Sequence, residues 1–242
     1  LQTYREVWTI SEYTRGWVER MWGRKSQLLY PPASLEGIIP RDKANWILSV
    51  GRFFAGGHNK KHEAMIRVFK ELMQEGLQGW ELHLAGGTMT TAGAIHKEYL
   101  ERLQRLAQGY PIHFHLDVSS SQLRNLYGRA KVYWHATGFE EDPQRHPKRF
   151  EHFGITVVEA MAGGAVPVVI RGGGLPEIVR HGVDGFLWQD VEEWKRYTLQ
   201  LIRNPDELAR MRNSAVQRAK EFGIRRFRQN LLHLVGQLEA TQ

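Results

Sequence analysis

Glu151-His-Phe-Gly-Ile-Thr-Val-Val-Glu159, continued by Ala-Met-Ala-Gly-Gly-Ala-Val-Pro-Val-Val169, sets two carboxylates eight positions apart around a glycine. The approach to it is polar and charged (Arg145, His146, Lys148, Arg149) and reads as loop, whereas residues 155–161 read as a short, largely apolar helix. Gly154 stands at the junction, where the lack of a Cβ lets a ligand come close to the backbone. The first N–H groups of a helix have no partner within it and lie at its positive end, so a phosphate suits this position. Glu159 falls just over one turn into the helix and Glu151 precedes its start. One carboxylate can then accept hydrogen bonds from a ribose and the other from a hexose, with a diphosphate between them.

Outward from this stretch, strand and helix alternate. Residues 47–50, 80–85, 112–116, 132–135, 166–170 and 186–187 are short β-rich runs. Between them lie segments with helical apolar spacing, such as Ala64, Ile66, Phe69, Leu72 and Leu100, Leu103, Leu106. This alternation predicts an α/β fold with a doubly wound, Rossmann-like parallel sheet. Ligands of such sheets bind beyond the carboxyl ends of the strands, which is where Arg52, the loop after Leu116 and Glu151 all fall. The opening residues 7–11 and a helix running to Trp22 precede a Pro31-Pro32 hinge, and there are no internal repeats.

Composition narrows the class. A chain of 242 residues with 42% hydrophobic content can bury one substantial core. It holds no cysteine, which removes a disulfide framework, Cys catalysis and a Cys-based zinc site. No run approaches the ~20 consecutive apolar residues of a spanning helix, and no basic-then-apolar signal opens the chain. A cytoplasmic protein is the expectation, and Leu1 marks the chain as an excerpt or a processed product.

The net charge of +7 is spread mostly over helix faces with acidic neighbours, as on solvated amphipathic helices. Two denser clusters, Arg145 to Arg149 and Arg218 to Arg228, lack the interleaved aromatics and the motif of a nucleic-acid groove, so no nucleic-acid partner is expected. Attraction to an anionic membrane surface carrying a lipid-linked acceptor fits them better, which would make the protein peripheral at the inner membrane face.

Other chemistries fall away. There is no Gly-x-x-x-x-Gly-Lys-Ser/Thr, no Gly-x-Gly-x-x-Gly after a strand and no nucleophile elbow. His113 and His115 share a strand face, but without further ligands no metal site is expected. Glu140-Glu-Asp142 sits in a polar loop and reads as solvent-facing or acceptor-side, and Ser119 to Ser121 read as a helix cap.

Four further motifs stand in order around the two-carboxylate stretch: Leu48-Ser-Val-Gly-Arg52 with Asn59-Lys60-Lys61, Leu82-His-Leu-Ala-Gly-Gly87, Gly172-Gly-Gly-Leu-Pro-Glu-Ile-Val179, and His181-Gly-Val-Asp-Gly-Phe-Leu187. Together they resemble the signature of group 1 (family 4) retaining glycosyltransferases of the GT-B fold, over about residues 4–235. The resemblance implies that 34–242 form the carboxyl-terminal, nucleotide-sugar-binding domain with a crossover helix, and that 1–33 are the tail of an amino-terminal domain plus the hinge. It implies transfer of a hexose from a nucleoside diphosphate sugar, UDP and GDP being the commoner carriers, with retention by front-face attack. Neither a metal nor a cofactor is implied, and the acceptor is unnamed.

The departing diphosphate gains negative charge, so catalysis rests on fixed positive groups around it. Arg52 and Lys60 are the candidates, Lys61 remaining an alternative to Lys60, with Glu151 as the third catalytic residue. Phe153, Gly154, Ile155, Thr156 and Glu159 complete the donor site, and the resemblance adds Val118 as a backbone contact to the base. Because the acceptor side belongs to the other domain of this class, the 242 residues alone are expected to bind donor without turnover. The competing reading is a sugar-nucleotide or glycan-binding module without catalysis, and the joint presence of Arg52, Lys60, Glu151 and Glu159 argues against it.

Overall fold

A computed structural model describes residue 4, residues 6–88 and residues 93–239. Its central feature is a six-stranded, all-parallel sheet. The strands are β3 (Ala44–Val50), β4 (Glu81–Gly86), β5 (Ile112–Leu116), β6 (Ala130–His135), β7 (Val166–Ile170) and β8 (Phe186–Trp188), in spatial order β5-β4-β3-β6-β7-β8. The order reverses between β3 and β6, which opens a crevice at their carboxyl ends. All six β-rich runs form, with ends shifted by up to three residues. Trp80, expected as the first residue of β4, is a buried residue just before it.

Helices α2 (His62–Gln74), α3 (Ala94–Ala107), α4 (Ser120–Arg129), α5 (Ile155–Ala162), α6 (Leu175–Ile178), α7 (Val191–Arg203) and α8 (Pro205–Ala219) connect and flank the strands. The helix α2 packs with α3 and α7, and α5 with α4 and α8, so both faces of the sheet are covered. Burial on both faces explains why β7 is apolar throughout rather than alternating. One hydrophobic core runs through the sheet, from Leu48, Leu82 and Val132 to Val168, Met161 and Trp194.

Ahead of the sheet, β1 (Trp8–Thr9) and β2 (Gln27–Leu28) pair in parallel, joined by α1 (Glu12–Trp22). Ser11 caps α1 in a capping box with Thr14, and Gly23 ends it in the left-handed region. This segment is fastened to the larger unit. The Glu177 carboxylate accepts from the amides of Glu12 (2.7 Å) and Tyr13 (2.9 Å), and Tyr13 Oη donates to the carbonyl of Pro147 (2.9 Å). Directly after the Pro31-Pro32 pair, the Ala33 amide donates to the Phe222 carbonyl at 2.8 Å. The last helix, α9 (Ile224–Glu239), leaves Ile224, Leu232 and Val235 exposed.

Candidate functional site

The crevice gathers most of the expected residues. Lys60 lies in the loop between β3 and α2, and Glu151 in the loop between β6 and α5. Lys60 Nζ is 2.6 Å from Glu151 Oε2, and His135 Nε2, from the last residue of β6, is 3.0 Å from the same oxygen. Both acidic and basic side chains are largely withdrawn from solvent. Burial alone would raise the Glu151 carboxyl, but His135 and the Lys60 charge hold it well below the usual carboxylate range. Burial also lowers His135, against the pull of Glu151. The result is a carboxylate that stays ionised and oriented.

The backbone around Glu151 is set by the glycine run at 172–174. The Gly174 amide donates to the Glu151 carbonyl at 2.8 Å. Gly173 adopts φ +60°, and a Cβ there would stand 2.0 Å from that same carbonyl oxygen. These glycines therefore let the motif pack flat against the backbone of Glu151 and Phe153, which explains their type.

Gly154 precedes α5 with φ +119°, a conformation open to glycine, and a Cβ would meet Leu175 at 2.8 Å. The first carbonyl bond into α5 is made by Val157, whose amide reaches the Gly154 carbonyl at 3.0 Å. The amides of Ile155 and Thr156 precede it and form the positive end of the helix. Tyr133 Oη donates to Thr156 Oγ1 at 2.9 Å and sits 3.4 Å from the Val50 carbonyl, locking the start of α5 to the ends of β3 and β6. One turn on, Glu159 accepts from Tyr127 Oη at 2.8 Å, and burial raises its carboxyl.

Arg52 stands two residues after the end of β3, is exposed, and makes no ion pair with a described residue. Val118 stands beyond the carboxyl end of β5 in the turn before α4, whose N-cap is Ser119 as expected. Phe153 is buried and stacks near Tyr30 and Phe222, so its side chain supports the loop from beneath.

The two candidate lysines take different partners: Lys60 pairs with Glu151, whereas Lys61, at φ +58° before α2, pairs with Glu141 at 2.8 Å. Two expectations need revision. Glu141 is not solvent-facing. It is largely buried and bridges Lys61 and Arg149, each at 2.8 Å, and those cations outweigh burial and lower its carboxyl. Finally, His113 and His115 do not stand alone on their strand. Glu81 and His83 of neighbouring β4 join them, and the ligand-capable atoms of Glu81, His83 and His113 lie within 4.8 Å of one another.

Two residues of the crevice escaped the sequence reading. His135 and Tyr127 resemble core residues of a strand and a helix, and only their partners, Glu151 and Glu159, reveal a role.

Residues 36–219 match the family described as "Glycosyl transferases group 1", and the chain belongs to that family. It is 27% identical over 244 residues to a GDP-Man:Man(3)GlcNAc(2)-PP-Dol alpha-1,2-mannosyltransferase of Dictyostelium discoideum, covering 95% of this chain and 45% of that protein. The human protein of the same name is 26% identical, with 96% and 48% covered. The chain thus spans about half the length of these relatives. Among solved structures, sucrose-phosphate synthase from Thermosynechococcus elongatus superposes over all of this chain and 60% of its own, with a TM-score of 0.79 at 20% identity. Anabaena Alr3699/HepE in complex with UDP-glucose gives 0.76 at 17% identity, covering 96% of this chain and 64% of that one. These likenesses place the sheet and its helices in the GT-B glycosyltransferase fold.

Proposed function

We propose that this group 1 glycosyltransferase chain is the donor-binding half of a hexosyltransferase that takes a nucleoside diphosphate sugar. The observation carrying the reading is the meeting of Lys60, Glu151 and His135 at the mouth of the crevice, beside the amino end of α5. The diphosphate lies over the Ile155 and Thr156 amides, with Arg52 and Lys60 on its oxygens. These fixed charges match the negative charge that develops as the diphosphate leaves, without reorganising when it does. Glu151, held ionised, accepts hydroxyls of the hexose, and Glu159, backed by Tyr127, accepts those of the ribose. Val118 presents its backbone to the base.

Transfer proceeds with retention and without a metal, as the family resemblance implies, the cations doing the work a divalent ion would otherwise do. The two mannosyltransferase relatives are named for GDP-mannose and a dolichyl-diphosphate-linked glycan, which makes GDP-mannose the first donor to test and a lipid-linked glycan the first acceptor class. Among the described residues no helix is long and apolar enough to cross a membrane. Calorimetric titration of GDP, GDP-mannose, UDP and UDP-glucose tests the assignment. Binding of none of the four would remove it.

A further inference from the structure

On the sheet edge away from the crevice, β4 and β5 present four imidazole or carboxylate side chains on one face. Strand residues two apart share a face, so Glu81 lies beside His83 on β4 and His113 beside His115 on β5. In the parallel register His83 stands opposite His113. Leu82 and Leu84, on the other face, are wholly in the core. His83 Nε2 is 2.9 Å from Glu81 Oε2, and His113 Nε2 is 3.5 Å from that oxygen. Glu81 is the first residue of β4, five positions before Gly86 at the crevice end, and His83 and His113 stand three positions before the ends of their strands, so the three lie roughly 10–16 Å along the strands from the donor side.

We propose that Glu81, His83 and His113 form a binding site for a divalent transition ion of the zinc class, separate from the donor site. Nothing in the transfer reading uses these residues. Bonds of about 2.0–2.2 Å in a tetrahedral site place neighbouring donor atoms roughly 3.3 Å apart, and the observed 2.9 and 3.5 Å separations bracket that spacing. Two imidazoles and a carboxylate, with no sulfur, are ligands that suit zinc and cobalt rather than calcium or magnesium. The glutamate and His113 side chains are half exposed, at 43% and 49%, which leaves them free to close on the ion and leaves the fourth position to water.

His83 is the fixed member. It is buried, packed 4.1 Å from the Trp46 ring and 5.0 Å from the parallel ring of His115. Its Nδ1 is 2.8 Å from His115 Nε2. When Nε2 of His83 binds the ion, its single proton resides on Nδ1 and is donated to His115 Nε2, so His115 is a positioning residue that sets the ligating tautomer. Arg129 lies over the far ring of this stack, 4.3 Å from the Trp46 centroid, which holds the wall in place.

The full chain, stripped with a chelator and dialysed, should bind one equivalent of Zn2+ in a calorimetric titration. Co2+ should give the visible absorption of a four-coordinate site. His113→Ala and Glu81→Gln, both at half-exposed positions, should each weaken Zn2+ at least about tenfold, and His115→Phe by a similar factor while leaving the ligands in place. His233→Ala, on α9, should leave the titration unchanged. Circular dichroism checks that each variant is folded. GDP binding should be the same with and without Zn2+, because the two sites share no residue. Absence of stoichiometric Zn2+ binding, or wild-type affinity in His113→Ala, overturns the proposal and leaves the donor-site reading untouched.

Discussion

Nζ of Lys60 and Oε2 of Glu151 are 2.6 Å apart, so the cation assigned to the diphosphate and the carboxylate assigned to the hexose form one contact. Each holds the other in place, and His135 anchors the pair from below. A change to one is therefore felt at the other, whereas Arg52, which shares no ion pair with a described residue, can be altered cleanly.

Arg52→Ala should weaken GDP or UDP binding by about 1.5–3 kcal/mol, the scale of a charge-assisted hydrogen bond. Calorimetry is the measurement, and wild-type affinity in the variant would remove Arg52 from the site. Added magnesium or a chelator should change donor affinity little.

The two carboxylates should separate by ligand. Glu151→Ala is expected to weaken the intact sugar nucleotide and spare the free nucleoside diphosphate, whereas Glu159→Ala should weaken both alike. The reverse pattern in paired titrations would show that hexose and ribose are exchanged between them.

Stability should fall in acid, in two stages. His135 has a lowered pKa in the folded protein, so below about 6.5 the unfolded chain takes up the proton first and stability is lost. Glu151 is likewise depressed, so its contribution is present above about 4.3 and is lost as pH falls through the range beneath. Urea midpoints followed from pH 7 to pH 3 should decline through both ranges, and Glu151→Gln should flatten the lower one. An unchanged lower slope in that variant would mean that the network contributes nothing to stability.

Gly173→Ala should cost about 2–4 kcal/mol, from left-handed strain plus a Cβ placed 2.0 Å from the Glu151 carbonyl. Sugar-nucleotide affinity should fall with it, because Glu151 must move. Gly223→Ala is the control: its Cβ would have ordinary contacts at 3.4 and 3.5 Å, and less than about 1 kcal/mol should be lost in denaturant unfolding. Equal losses in the two variants would contradict the packing role given to the 172–174 run.

The 242 residues tested by themselves should bind donor without measurable transfer. Alignment of donor and acceptor supplies ~7–11 kcal/mol of barrier lowering, and the acceptor side is assigned to the other half of the fold. Product formed from a radiolabelled donor and a panel of lipid and sugar acceptors would show that these residues hold a complete site.

The alternation of β-rich runs with 3.6-periodic segments was legible from 47 to 188 because burial on both sheet faces writes apolar strands into the sequence. The helix start at Gly154 was legible for a related reason. A glycine at a helix start flanked by two carboxylates is local in the chain, and local geometry needs no tertiary knowledge to interpret.

Partnerships between distant residues are another matter. Lys60 and Lys61 are adjacent and chemically identical, yet one reaches Glu151 and the other Glu141, ten residues apart in the β6–α5 loop, with Lys61 itself in the left-handed region. Glu141 reads as a solvated acid until Lys61 and Arg149 close on it. His135 and Tyr127 look like packing residues, and the Glu81, His83, His113 cluster spans two strands separated by a whole helix. The sequence by itself determined the strands, the glycine-led start of α5 and the family, since periodicity and short motifs are properties of neighbours along the chain. Only the tertiary structure decided which charge meets which, since an ion pair is worth its Coulomb energy only over the few ångströms that folding, not sequence spacing, brings about.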